Sequence, residues 1–67
     1  MKRYQIERPI YDTTVESRLR EKMLEDLYQK IGETLEIGVR YTVLITMNDF
    51  DKSGVHYARY ECEVAPL

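Results

Sequence analysis

The sequence predicts an α+β fold in the order β-α-β-β, a three-stranded sheet with one helix packed on one face. Three observations predict it. Residues 35 to 47 alternate apolar and polar with period two, residues 55 to 64 alternate again, and between Val15 and Ile31 an apolar stripe recurs at helical spacing without Gly or Pro. The chain has 67 residues, which reads as one α+β domain over 1–67. A domain of that length hides only about 60% of the surface its unfolded form exposes, so the core must be thin.

The first element is a short strand. In Lys2 to Glu7, Tyr4 and Ile6 fall on one side and Arg3, Gln5 and Glu7 on the other. Pro9 is expected to stop it, because proline lacks the ladder donor.

The helix is expected over about 13 to 31. Thr13-Thr14-Val15-Glu16 has the Thr-x-x-Glu form of a capping box. Val15, Leu19, Met23, Leu24, Leu27, Tyr28 and Ile31 make one broad apolar face. Gly32 then reads as a left-handed stop. Arg20 is the one charge projected into that face. It either lays its stem along the sheet margin with the guanidinium in water, or anchors a partner carboxylate.

The third segment places Leu35, Ile37, Val39, Tyr41, Val43, Ile45 and Met47 on one side. Thirteen residues exceed the usual strand of about 5–6, so a bend or bulge near Gly38, or a projecting end, is expected. Asn48 to Gly54 reads as a loop from its Asn, Asp, Ser and Gly content. The last strand turns Ala58, Tyr60, Cys62 and Val64 inward. The two segments form a hairpin in which odd residues of one strand face even residues of the other. One register sets Val43 against Tyr60 and Arg40 against Glu63, and another sets Arg40 against Glu61. The first strand is expected either parallel beside the third segment or antiparallel beside the last. Either order covers one face of the sheet and leaves the other open.

Chemistry-bearing residues are few. Asp49, Asp51, Ser53 and Gly54 match the first half of a calcium loop, but the position for the bidentate Glu holds Tyr60. A polar hairpin loop explains the same residues, and no metal is expected. His56 and Cys62 are the sole residues of their types. They share a strand face about 20 Å apart, too far to act as nucleophile and base. No glycine-rich phosphate loop and no zinc spacing is present, so neither catalysis nor a cofactor is expected.

Ten basic and twelve acidic residues leave a net charge of −2, which disfavours a general nucleic-acid or membrane-surface binder. A single Cys excludes an internal disulfide. No apolar run approaches the ~20 residues of a membrane span, and no signal core follows the basic N-terminus. A cytoplasmic protein is expected.

What stands out is six Tyr beside one Phe and no Trp. Tyr and Arg concentrate at binding hot spots because they bring large area with a polar handle. The residues singled out for partner binding are Arg40, Leu44, Phe50, Tyr57 and Arg59. The expected function is a small non-enzymatic protein-binding module that inhibits or modulates a larger protein. It would act through the open sheet face, a strand edge or the loop over 48–54, with a homodimer as a further partner state. A viral or mobile-element source is the expectation that goes with this size class, and no particular residue carries it. The competing expectations are single-strand nucleic-acid binding through sheet aromatics, with Arg3, Arg40 and Arg59 on phosphates, and a ligand or enzymatic site built between two subunits.

Overall fold

The computed structural model describes all 67 residues. The elements run β1 (Lys2–Ile10), α1 (Glu16–Thr34), β2 (Tyr41–Met47), β3 (Phe50–Lys52) and β4 (Val55–Pro66). The fold is α+β, with one helix on an open antiparallel sheet of four strands rather than three.

β4 is the central strand. β1 pairs along one side of it, from Lys2–Val64 to Ile10–His56. β2 and β3 follow one another along the other side. Since β1 and β2 both run antiparallel to β4, they are parallel to each other with β4 inserted between them. This split β-α-β chooses the antiparallel placement of the first strand beside the last. Pro9 lies within β1, opposite Tyr57. β1 is an edge strand, where proline is tolerated if its missing donor faces away from the ladder.

The hairpin differs most from expectation. What reads as a loop over 48–54 contains β3 and a two-residue turn, with Lys52 opposite Val55. Ser53 and Gly54 have φ of 52° and 77°, the two positive values a type I′ turn requires. The tight turn shifts the register: Val43 faces Val64, and Arg40 faces neither Glu63 nor Glu61. The odd-to-even parity holds, because it follows from which side is apolar. The turn position sets the rest.

β2 begins only at Tyr41. The backbone before it turns at Ile37–Gly38, where Gly38 takes φ 84°. Ile37 is fully exposed. The apparent alternation upstream of Arg40 is therefore not strand.

α1 starts and ends about three residues later than its pattern suggests. The capping box does not form. Val15 is the N-cap and makes no side-chain bond, while the Thr14 hydroxyl accepts from the Tyr11 N–H at 2.9 Å. Gly32 lies inside the helix, and Thr34 Oγ1 donates to the Ile31 carbonyl at 2.8 Å near its end. Valine is among the poorest N-caps because it leaves helical donors unsatisfied. Val15→Asp is expected to stabilise the chain by about 1 kcal/mol, raising the melting temperature by roughly 4–8 °C in a thermal scan.

The core joins the centre of the helix to the centre of the sheet. Met23, Leu27 and Ile31 meet Ala58, Tyr60, Cys62 and Val64. Tyr4, Ile6 and Ile10 close it on the β1 side, and Tyr41 and Ile45 on the β2 side. The two sides are not equal. The backbone of α1 lies over β1 and β4, and the helix reaches β2 through the Arg20 side chain, whose guanidinium is 3.2 Å from Met47 Sδ.

Candidate functional site

That offset of the helix leaves β2 only half covered on the side that should be core: Tyr41 and Ile45 pack against the core, and Val43 and Met47 lie largely open. Val43 and Met47 point to the helix side of the sheet, yet they remain 45% and 63% exposed. Asp26 and Lys30 border a groove with Gln5, Ile6 and Arg8 of β1. Helical phase therefore turns Leu24 and Tyr28 to the opposite flank, beside β2. Tyr28 is exposed, although its spacing places it on the apolar stripe.

β2 is also a sheet edge, and the two edges differ in chemistry. β1 carries Lys2, Arg3, Glu7, Arg8 and Pro9, the residues that discourage a second strand from pairing. β2 reads Tyr-Thr-Val-Leu-Ile-Thr-Met, with no charge and no proline. Its free hydrogen-bonding groups can be assigned. The Asn48 N–H donates to the Arg59 carbonyl at 2.8 Å, and the Arg40 carbonyl accepts from Leu67 at 2.9 Å. Even-numbered backbone groups thus turn toward β4. By the alternation of an antiparallel ladder, Tyr41, Val43, Ile45 and Met47 direct N–H and C=O to the open edge.

The five residues singled out from sequence do not form one patch. Phe50, Tyr57 and Arg59 come together near the hairpin tip. The two rings stack at 5.0 Å with 5° between planes, and the Arg59 guanidinium lies 4.7 Å from the Phe50 centroid. Arg59 Nε also donates to the Asn48 carbonyl at 3.0 Å. The cluster fastens β3 to β4. Leu44 faces outward at the middle of β2, opposite Glu63, roughly 20 Å along the strands from Phe50. Arg40 lies just before β2, exposed and outside every ion pair of the chain.

The outward face itself is charged and internally paired. Arg3 meets Glu63 at 3.3 Å and Arg59 meets Glu61 at 3.5 Å. A shallow depression of about 520 Å³ lies there, bordered by Arg3, Gln5, Leu44, Thr46, Glu61 and Glu63.

Arg20 takes neither role expected of it. Its guanidinium bonds Asp49 at 2.6 and 3.3 Å, Glu16 at 3.0 Å, and the Tyr60 hydroxyl at 3.5 Å. The carboxylate it anchors belongs to its own chain. Arg20 holds the Asp49 carboxyl below its ordinary range, with help from the Arg59 backbone N–H. Asp51 is in turn 2.7 Å from His56 Nδ1, which raises the imidazole above its ordinary value, and Asp49 adds to this from 3.5 Å. The half calcium loop is thus a strand and a turn, with its two carboxylates engaged by Arg20 and His56. Cys62 is buried, and burial raises its thiol pKa. No nucleophile–base pair is assembled.

No protein-family model, no curated protein and no solved structure matches the chain. No helix is long and apolar enough to cross a membrane.

Sequence reasoning did not single out Tyr41, Val43, Ile45 and Met47, whose backbone groups line the open edge of the sheet. The signal was present as seven uncharged residues in a row, but it acquires meaning only once β2 is known to be an edge.

Proposed function

We propose that the chain is a small protein-binding module that inhibits or modulates a larger protein, and that it docks through the β2 edge and the bare flank beside it. The observation that carries this reading is the contrast between a guarded edge at β1 and an unguarded one at β2. An extended partner segment would hydrogen-bond to the outward backbone groups of Tyr41, Val43, Ile45 and Met47. Its alternate side chains would lie on Val43 and Met47, giving affinity through the backbone and specificity through the apolar flank. Nucleic acid is the weaker reading. Arg3 and Arg59 are already paired with carboxylates, and the Phe50 and Tyr57 rings are stacked on each other.

The test uses the whole chain as bait beside Val43→Lys, which puts a guarding charge on the edge. A protein retained by wild type and lost from the variant is expected. In that complex the amides of Val43, Ile45 and Met47 exchange with deuterium more slowly than in the uncomplexed monomer. Equal retention by both baits, or protection confined to β1 or the hairpin tip, overturns the reading.

A further inference from the structure

The chain exposes more surface than its mass warrants. Its accessible area is 5151 Å² for 8.0 kDa, against about 4,450 Å² for a compact monomer of that mass. Its radius of gyration is 13.7 Å and its extents are 44 × 19 × 13 Å, where a compact chain of this length would have a radius near 11 Å. The excess is about 700 Å², close to the ~800 Å² each partner contributes to a standard interface. We infer that the β2 edge is occupied by a second copy of the chain, paired antiparallel across a two-fold axis at Leu44. The inference rests on the docking reading above: the second copy supplies the extended segment that pairs with the edge, and the larger protein is left the apolar flank of Val43 and Met47.

β2 is complementary to itself in this arrangement. A two-fold at Leu44 opposes Tyr41 to Met47, Thr42 to Thr46 and Val43 to Ile45, so all seven residues find partners. The odd residues, whose backbone groups point outward, fall opposite one another and form the hydrogen-bonded pairs. Leu44 meets its own copy in a non-hydrogen-bonded pair, where Cα atoms approach to about 4.5 Å. Any register shifted by two residues leaves unpaired positions at both ends. Apolar and Thr–Thr pairs stabilise such ladders, and no like charges meet within the seven residues.

Charge outside the strand agrees. Arg40, which has no ion pair in its own chain, falls opposite Asn48 of the second copy. Asn48 Nδ2 lies 3.4 Å from Glu61 Oε1, so the free guanidinium arrives on the same outward side as a carboxylate one strand further in.

The axis runs perpendicular to the sheet and keeps both helices on one side. Each helix lies over β1 and β4, about two strands from the axis. At ~4.8 Å per strand the helix axes stand roughly 19 Å apart, twice the usual packing distance of 8–10 Å. The trough between them exposes the bare flanks of both copies to the larger protein.

Sedimentation equilibrium on the wild-type chain is expected to give twice 8.0 kDa, and Val43→Lys is expected to return it to the monomer mass. The axis is tested with single cysteines on the outward side. In Leu44→Cys the opposed thiols are within disulfide range, about 4.4–6.8 Å between Cα atoms. Oxidised glutathione is expected to link them, releasing two equivalents of reduced glutathione. Thr42→Cys faces Thr46 rather than itself and is expected not to link alone, but to link when mixed with Thr46→Cys. Wild type, with Cys62 buried, stays unlinked. A monomer mass at all concentrations, or linking of Thr42→Cys as fast as Leu44→Cys, overturns the inference. A monomer whose Val43→Lys variant still loses the captured protein overturns the dimer and leaves the docking reading standing. A dimer unaffected by Val43→Lys overturns both.

Discussion

Leu27→Ala is expected to abolish cooperative unfolding, or to lower the melting temperature by more than about 10 °C. Leu27 is 2% exposed at the middle of the helix, between Met23 and Ile31 and above β4. Truncating such a leucine removes its transfer free energy and leaves a cavity, costing about 2–4 kcal/mol. A domain this small has a margin of only about 3–5 kcal/mol, so the loss is comparable with the whole. Val15→Ala is the contrast. Val15 belongs to the same apolar stripe by spacing but is exposed, and its truncation is expected to stay within about 0.5 kcal/mol. Thermal scans by circular dichroism of the two variants decide the point. If both behave alike, the helix does not present Leu27 to β4.

Arg20→Met is expected to cost about 2–3 kcal/mol, the range for charge-assisted hydrogen bonds lost from a partly buried site. Arg20 and Asp49 are 17% and 20% exposed, so solvent screens the pair less than a surface bridge. The guanidinium ties α1 to the junction between β2 and β3, and the same carboxylate accepts the Arg59 N–H from β4 at 3.1 Å. Methionine keeps the stem and removes the fork, leaving Asp49 without its cation. Arg20→Lys is expected to recover less than half of the loss, because an ammonium cannot reproduce two parallel bonds to one carboxylate. The pH dependence has a definite sign. Asp49 has a lower pKa folded than unfolded, so its stabilisation is present above the unfolded value near 3.9 and lost as pH falls through the folded value. Arg20 stays protonated throughout. In urea titrations between pH 7 and pH 2, wild type should lose more stability on acidification than Asp49→Asn. Parallel curves for the two would remove Asp49 from the account.

Period alone placed the helix and the two long strands, because burying one side of an element forces a repeat that matches its geometry. The same logic failed where apolar residues are exposed. Ile37 and Val39 continue the alternation of β2 but flank the turn at Gly38, and Tyr28 continues the helical stripe but faces an uncovered flank. Pattern shows which side of an element is apolar, not whether anything covers it. The composition of Asn48 to Gly54 was loop-like because Asp49, Asp51 and Ser53 suit turns. Two of those polar side chains instead meet Arg20 and His56 across the structure, which lets the segment remain extended. Of the residues singled out from sequence for partner binding, Phe50, Tyr57 and Arg59 cluster together, while Arg40 lies just before the edge strand and Leu44 at its middle.

Residue pattern alone specifies the α+β class, the order of the long elements, the parity of the hairpin and the inward set Met23, Leu27, Ile31, Ala58, Tyr60, Cys62 and Val64. Local periodicity and burial are properties of single segments, so one chain suffices to read them. That β4 is central, that β2 is an unguarded edge and that Arg20 closes on Asp49 emerge only in the folded chain. Those depend on which segments meet. Strand order and the lateral position of a helix on a sheet come from packing between elements far apart in the chain, and no single segment encodes them.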